Sequence, residues 1–75
     1  MSHKLPVISG AQLVKAFGNL GYYIRSQQGS HIHLRHPVHP PLTIPNHREI
    51  ARGTLRTIIR QAGLSLDRFV EILKK

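Results

Sequence analysis

The sequence contains no cysteine and no tryptophan, and it has only three acidic residues among its 75. Without cysteine, neither a disulfide nor a thiolate metal centre can reinforce the fold, and no thiol nucleophile is available. Such a composition suits a reducing compartment. The three acids are Glu49, Asp67 and Glu71. Their spacing fits neither a catalytic triad nor a paired-carboxylate site, which sets aside triad hydrolases and metal–carboxylate nucleases. A glycine-rich loop of the P-loop kind is also missing. Long apolar runs are absent too. Leu5 to Ile8 is a short run broken by Pro6, whereas a signal peptide needs roughly 7–15 apolar residues. Nothing approaches the roughly 20 apolar residues of a membrane span. The expectation is a cytoplasmic protein without membrane association.

What the chain does have is positive charge. Eleven Lys and Arg residues against three Asp and Glu give a formal net charge of +8 and a pI near 11.3. A compact domain so charged attracts polyanions and releases their counterions on binding. Nucleic acid is the first partner to consider, an acidic protein the second and an anionic membrane the third. With 40% apolar residues, residues 1–75 are expected to form a single domain with one small core. A chain of this size buries about 60% of the surface that its unfolded form exposes.

The periodicity predicts a helix over residues 9–20, with Ser9 and Gln12 as a capping box and Gly21 as the C-terminal glycine. Leu13, Phe17 and Leu20 share its apolar face. Residues 22–27 and 31–36 read as two strands joined through Gly29-Ser30 in a hairpin, and residues 42–44 as a third short strand. A second helix spans about Arg52 to Ala62, with Leu55, Ile58, Ile59 and Ala62 inward, and Ser65 caps a last one in which Leu66, Phe69, Val70 and Leu73 repeat the same spacing. The predicted class is α+β: one helix, a three-stranded antiparallel sheet, then two helices covering one sheet face. The other face is left wet.

Strand alternation puts Ile32 and Leu34 on the core side and His31, His33 and Arg35 on the wet side. Tyr23, Arg25 and Gln27 join them if Tyr22 and Ile24 face inward. Imidazoles, guanidinium groups and an aromatic ring suit single-stranded or looped RNA: arginine takes phosphate, and tyrosine offers a stacking plane. A solvated sheet face with no partner is the bland alternative. On the second helix, Arg52, Arg56 and Arg60 are four apart and line one stripe with no acidic partners at i,i+4. That stripe is either a phosphate-binding ladder or an ordinary polar face. Six histidines are present, and His31, His33, His36 and His39 crowd into one stretch. A zinc site is conceivable, His47 included, but no cysteine or carboxylate stands near. Imidazole exchanges protons at neutral pH, and RNA carries its own nucleophile in the 2′-hydroxyl. His31, at a strand start after Gly29-Ser30, is therefore also a candidate general base or acid.

Taken in order, several motifs resemble the HicA family, also called YcfA-like proteins, from about Leu5 to Leu73. They are Pro6…Ser9-Gly10, Gly21 followed by an aromatic, Gly29-Ser30-His31, Pro45-x-His47 and Gly53-Thr54-Leu55-Arg56-x-Ile58. Members often carry phenylalanine after the glycine aligned with Gly21, where this chain has Tyr22. The resemblance implies a fold like the double-stranded RNA-binding domain. It implies a toxin that cleaves mRNA independently of the ribosome and is held inactive by a HicB-type antitoxin. The implied catalytic residue is His31, presented by Gly29 and Ser30, with Pro45 and His47 as a second motif of unassigned role. No metal or other cofactor is expected. Arg25, Arg35 and His33 are expected to stabilise phosphate, and Tyr23, Arg52, Arg56 and Arg60 to bind RNA. The alternative is a non-catalytic module that binds RNA or an antitoxin.

Overall fold

A computed structural model of the chain describes residues 5–75; residues 1–4 lie outside the described residues. The first helix, α1, spans Gly10–Leu20. The Ser9 hydroxyl accepts from the Gln12 amide at 3.1 Å, and the Ser9 amide donates back to the Gln12 side chain at 2.9 Å. Two otherwise unpaired N–H groups are thereby satisfied reciprocally. The helix ends at Gly21, whose φ of 113° is left-handed, a conformation that glycine adopts without the Cβ penalty.

Three strands follow: β1 (Tyr23–Gln28), β2 (His31–Arg35) and β3 (Leu42–Pro45). They form one antiparallel sheet in the order β1-β2-β3. Ile32 pairs with Ile44 and Leu34 with Leu42. All four are buried, so this face of the sheet is the floor of the core. The helices α2 (Arg52–Gln61) and α3 (Leu66–Lys74) complete the chain. α1 packs on α3 and on β3, and α2 packs on β3. The helix side of the core is built from Leu13, Phe17, Leu55, Ile58, Ile59, Ala62, Phe69 and Ile72. The order of elements and the α+β class are those expected.

Two local expectations are revised. In α3 the fully buried pair is Phe69 and Ile72, with Leu66, Val70 and Leu73 only partly covered, because the helix turns this edge toward α1. In β1 the ladder carries a bulge at Arg25: Ile24 pairs with Leu34, but Ser26, not Arg25, pairs with His33. An inserted residue reverses the facing of everything after it. Gln27 therefore lies opposite Ile32, on the helix-side face, while Ser26 and Gln28 stand opposite His33 and His31. Tyr22 is buried as expected, but Ile24 is 56% exposed. β1 is the edge strand, remote from the β3 side on which α1 and α2 pack. Among the described residues, no helix is long and apolar enough to cross a membrane.

Candidate functional site

Gln28 pairs with His31, so Gly29 and Ser30 alone turn the chain between β1 and β2. Gly29 has φ 58°, and among the described residues none other than glycine has positive φ. A positive φ at the first central position only is the type II′ pattern, which matches the twist of a hairpin. A Cβ at Gly29 would meet nothing within 4 Å. The glycine is needed for its backbone angle, not for clearance. The Gln27 side chain donates to the Gly29 carbonyl at 3.1 Å, and the Asn46 amide donates to the Ser30 carbonyl at 2.6 Å. The turn is thus tied on both sides, and His31 leaves it as the first, exposed residue of β2.

The wet face expected from alternation is present. His31 and Arg35 are exposed and His33 is half-buried. Tyr23 pairs with Arg35 and is 56% exposed, so its ring shares this face. Thr43, from β3, stands opposite His33, and its hydroxyl lies 3.2 Å from His33 Nδ1. Arg25 occupies the bulge beside Ser26. The sheet brings His31, His33, Arg35 and Tyr23 together. Reading the sequence alone missed Thr43 and Ser26. Thr43 was signalled by its place between the inward Leu42 and Ile44, whereas Ser26 depends on a bulge that nothing local announces.

Pro45-x-His47 also gains a place. Pro45 is the cross-strand partner of His31. The His47 carbonyl accepts from the Gly10 amide at 2.8 Å, and the His47 amide bonds the Pro45 carbonyl at 2.9 Å. A Cβ on Gly10 would overlap the Pro45 carbonyl oxygen and stand 2.9 Å from the Asn46 Cα. Two of the sequence motifs, Ser9-Gly10 and Pro45-x-His47, are therefore the two sides of one tight contact, and it abuts the third, Gly29-Ser30-His31. The His47 side chain itself is exposed.

The four crowded histidines separate into two pairs. His36 Nδ1 accepts from the amides of Val38 and His39 at 2.9 and 3.0 Å, and its Nε2 lies 3.1 Å from the Leu20 carbonyl. Nε2 must then carry the hydrogen, because both it and a carbonyl cannot be acceptors. His39 Nδ1 in the same way donates to the Ala62 carbonyl at 3.2 Å. The two rings meet edge-on at 4.5 Å, and His36 lies against Tyr22 with the ring planes tilted and the centroids 4.9 Å apart. Burial pushes the Tyr22 phenol above its ordinary pKa, and its O–H donates to the Pro40 carbonyl at 2.7 Å. This cluster pins the loop between β2 and β3 to both α1 and α2. Among the described residues, no three side chains of the metal-ligating types gather.

Arg52, Arg56 and Arg60 are all exposed, along a stripe of α2 that flanks the buried Leu55, Ile58 and Ile59. Those three face the core, so the arginines look outward from the helix layer and not from the open sheet face. They form a second basic surface, carried by a helix and not by the strand that begins with His31.

Residues 10–64 match the family model described as the HicA toxin of bacterial toxin-antitoxin, and the chain belongs to that family. Among solved structures it is similar to a chain in a toxin-antitoxin complex from Streptococcus pneumoniae. The two are 34% identical with a TM-score of 0.67, over 76% of this chain and 98% of that one. No curated protein matches the chain.

Proposed function

We propose that this HicA-family protein is an endoribonuclease toxin that cleaves mRNA with His31, acts in the cytoplasm as a single domain over residues 1–75, and is silenced by a HicB-type antitoxin. The observation that carries the reading is an exposed imidazole at the head of β2, braced by a II′ turn, on an open sheet face that also presents His33, Arg35 and Tyr23. RNA cleavage needs no protein nucleophile, because the 2′-hydroxyl attacks the adjacent phosphate. A proton acceptor, a proton donor and positive charge suffice. In this reading, His31 moves a proton at the 2′-hydroxyl or the leaving oxygen. Arg35 and Arg25 hold phosphate, Tyr23 stacks on a base, and Gly29 and Ser30 aim the histidine. Pro45 and the backbone of His47 buttress it. Arg52, Arg56 and Arg60 draw in the RNA backbone from the second basic surface.

The test is cleavage of a long, unstructured RNA by purified protein in excess EDTA, wild type beside His31→Ala. The reading expects wild type to yield 2′,3′-cyclic phosphate and 5′-hydroxyl ends and the variant to yield none. If both bind RNA in a salt-dependent way and neither cuts, the non-catalytic binding module takes its place.

A further inference from the structure

The open face carries a second imidazole, so far assigned only to phosphate. His31 and His33 are alternate residues of β2 and project from the same face, with backbones about 6.5–7 Å apart. Their surroundings differ. His31 is exposed at the turn, whereas His33 is half-buried and level with two hydroxyl residues, Ser26 on β1 and Thr43 on β3. The Thr43 hydroxyl meets His33 Nδ1 at 3.2 Å. A hydroxyl both donates and accepts, so this contact survives a change of protonation. Thr43 donates to Nδ1 of one neutral tautomer and accepts from N–H of the imidazolium. In both cases Nδ1 is engaged by the protein, and Nε2 is the nitrogen left for a ligand.

We infer that His33 is the second proton-transfer group of the RNA cleavage proposed above, and the inference rests on that reading. The reaction needs two proton movements. As the O2′–P bond forms, one imidazole accepts the 2′-hydroxyl proton. As the P–O5′ bond breaks, an imidazolium delivers a proton to O5′. The products are a 2′,3′-cyclic phosphate and a 5′-hydroxyl, and the two rings finish with their protonation states exchanged, to be reset by water. A phosphate seated between two rings on one strand offers its attacking oxygen to one and its leaving oxygen to the other. The other charged or titratable groups on this face are few. Arg35 lies on the same strand, Tyr23 opposite it, and Arg25 in the bulge, while β3 contributes only the Thr43 hydroxyl. The helices pack on the opposite face. None of the three strands carries a carboxylate or a lysine, so imidazole is the group there suited to proton exchange near neutrality. Thr43 is a positioning residue, acting through His33.

The experiment is single-turnover cleavage of a long, unstructured RNA in EDTA, from about pH 5 to pH 9. It compares wild type with His31→Ala, His33→Gln, Thr43→Val and Thr43→Ser, and thermal melts establish that each is folded. Wild type is expected to give a bell-shaped profile. His33→Gln should lower the rate for bound RNA roughly 10²–10⁴-fold and flatten one limb, with RNA affinity retained. Thr43→Val should move that same limb to lower pH, because of the two bonds lost the one to the charged imidazolium is the stronger, and Thr43→Ser should leave it in place. A His33→Gln protein that keeps both limbs and is defective only in binding would overturn the inference and return His33 to a phosphate contact. Limbs unmoved in both Thr43 variants would remove Thr43 from it. A wild type that cuts nothing, or a His31→Ala variant as active as wild type, defeats the ribonuclease reading itself. That outcome is distinct from an active, His31-dependent enzyme indifferent to His33.

Discussion

The Gly10 amide donates to the His47 carbonyl at 2.8 Å, and the approach that permits this bond excludes any side chain at position 10. A Cβ there meets the Pro45 carbonyl oxygen and the Asn46 Cα, backbone atoms that cannot rotate aside. Gly10→Ala should therefore destabilise the protein by about 1–3 kcal/mol, the usual range for overpacking, read as a lower urea midpoint at unchanged slope. Because Pro45 is the cross-strand partner of His31, RNA cleavage should fall under conditions where the variant is still folded.

Gly29 presents the opposite case. Space is open around it, yet its φ of 58° disfavours any Cβ. Gly29→Ala is expected to lose about 1–2 kcal/mol through backbone strain alone. Gly29→Asn should lose less, since asparagine is among the residues that turns with a positive φ accept. Denaturant midpoints of the two variants make the comparison, and equal losses would mean that the turn is not held in this conformation.

Tyr22 links stability to alkaline pH. Burial raises its pKa, so the folded chain keeps the phenolic proton at pH values where the unfolded chain releases it. The associated stability is complete below about pH 10, the value for an unfolded tyrosine, and is lost as pH rises through the folded value. Tyr22→Phe keeps the ring contacts with Phe17 and His36 and loses the bond to the Pro40 carbonyl. It should be less stable by about 1 kcal/mol at about pH 8. The gap to wild type should narrow at about pH 11.

The two basic surfaces should separate in kinetics. Replacing Arg52, Arg56 and Arg60 with Gln is expected to weaken RNA binding and flatten its dependence on log salt by roughly 2 units, at about 0.7 per lost single-strand phosphate contact. The cleavage rate of bound RNA should be unaffected. Arg35→Gln, on the face of His31, should lower that bound-state rate as well. Anisotropy titrations at several salt concentrations with single-turnover cleavage test both. A triple variant with wild-type affinity would make the stripe an ordinary polar helix face.

Much of this could be read from local pattern. The capping box at Ser9 and Gln12, the terminating Gly21 and the inward set Leu55, Ile58, Ile59 and Ala62 are each decided within one or two turns of helix, and each stands where periodicity put it. The His31, His33 and Arg35 row followed from alternation along a single strand. What escaped depends on partners distant in sequence. The bulge at Arg25 exists only in the ladder between β1 and β2, and it exchanged Gln27 for Ser26 and Gln28 on the open face. The division of the histidines depends on carbonyls at Leu20 and Ala62, which no spacing within residues 31–39 encodes. The demand for glycine at position 10 arises from a segment more than thirty residues away.

The Arg25 bulge has a consequence for how copies of this protein behave together. β1 is a free sheet edge, exposed along its whole length, with the apolar surface of Tyr23 and Ile24 at its start. A flat edge of that kind is a template onto which another chain's strand can pair, and it invites aggregation. Here the ladder is interrupted one residue past Ile24, and the interrupting residue is itself cationic. The kink breaks the row of evenly spaced amides and carbonyls, and the charge repels an identical edge. The feature that reorders the open face thus also makes the sheet's margin a poor template for the strand of a second copy.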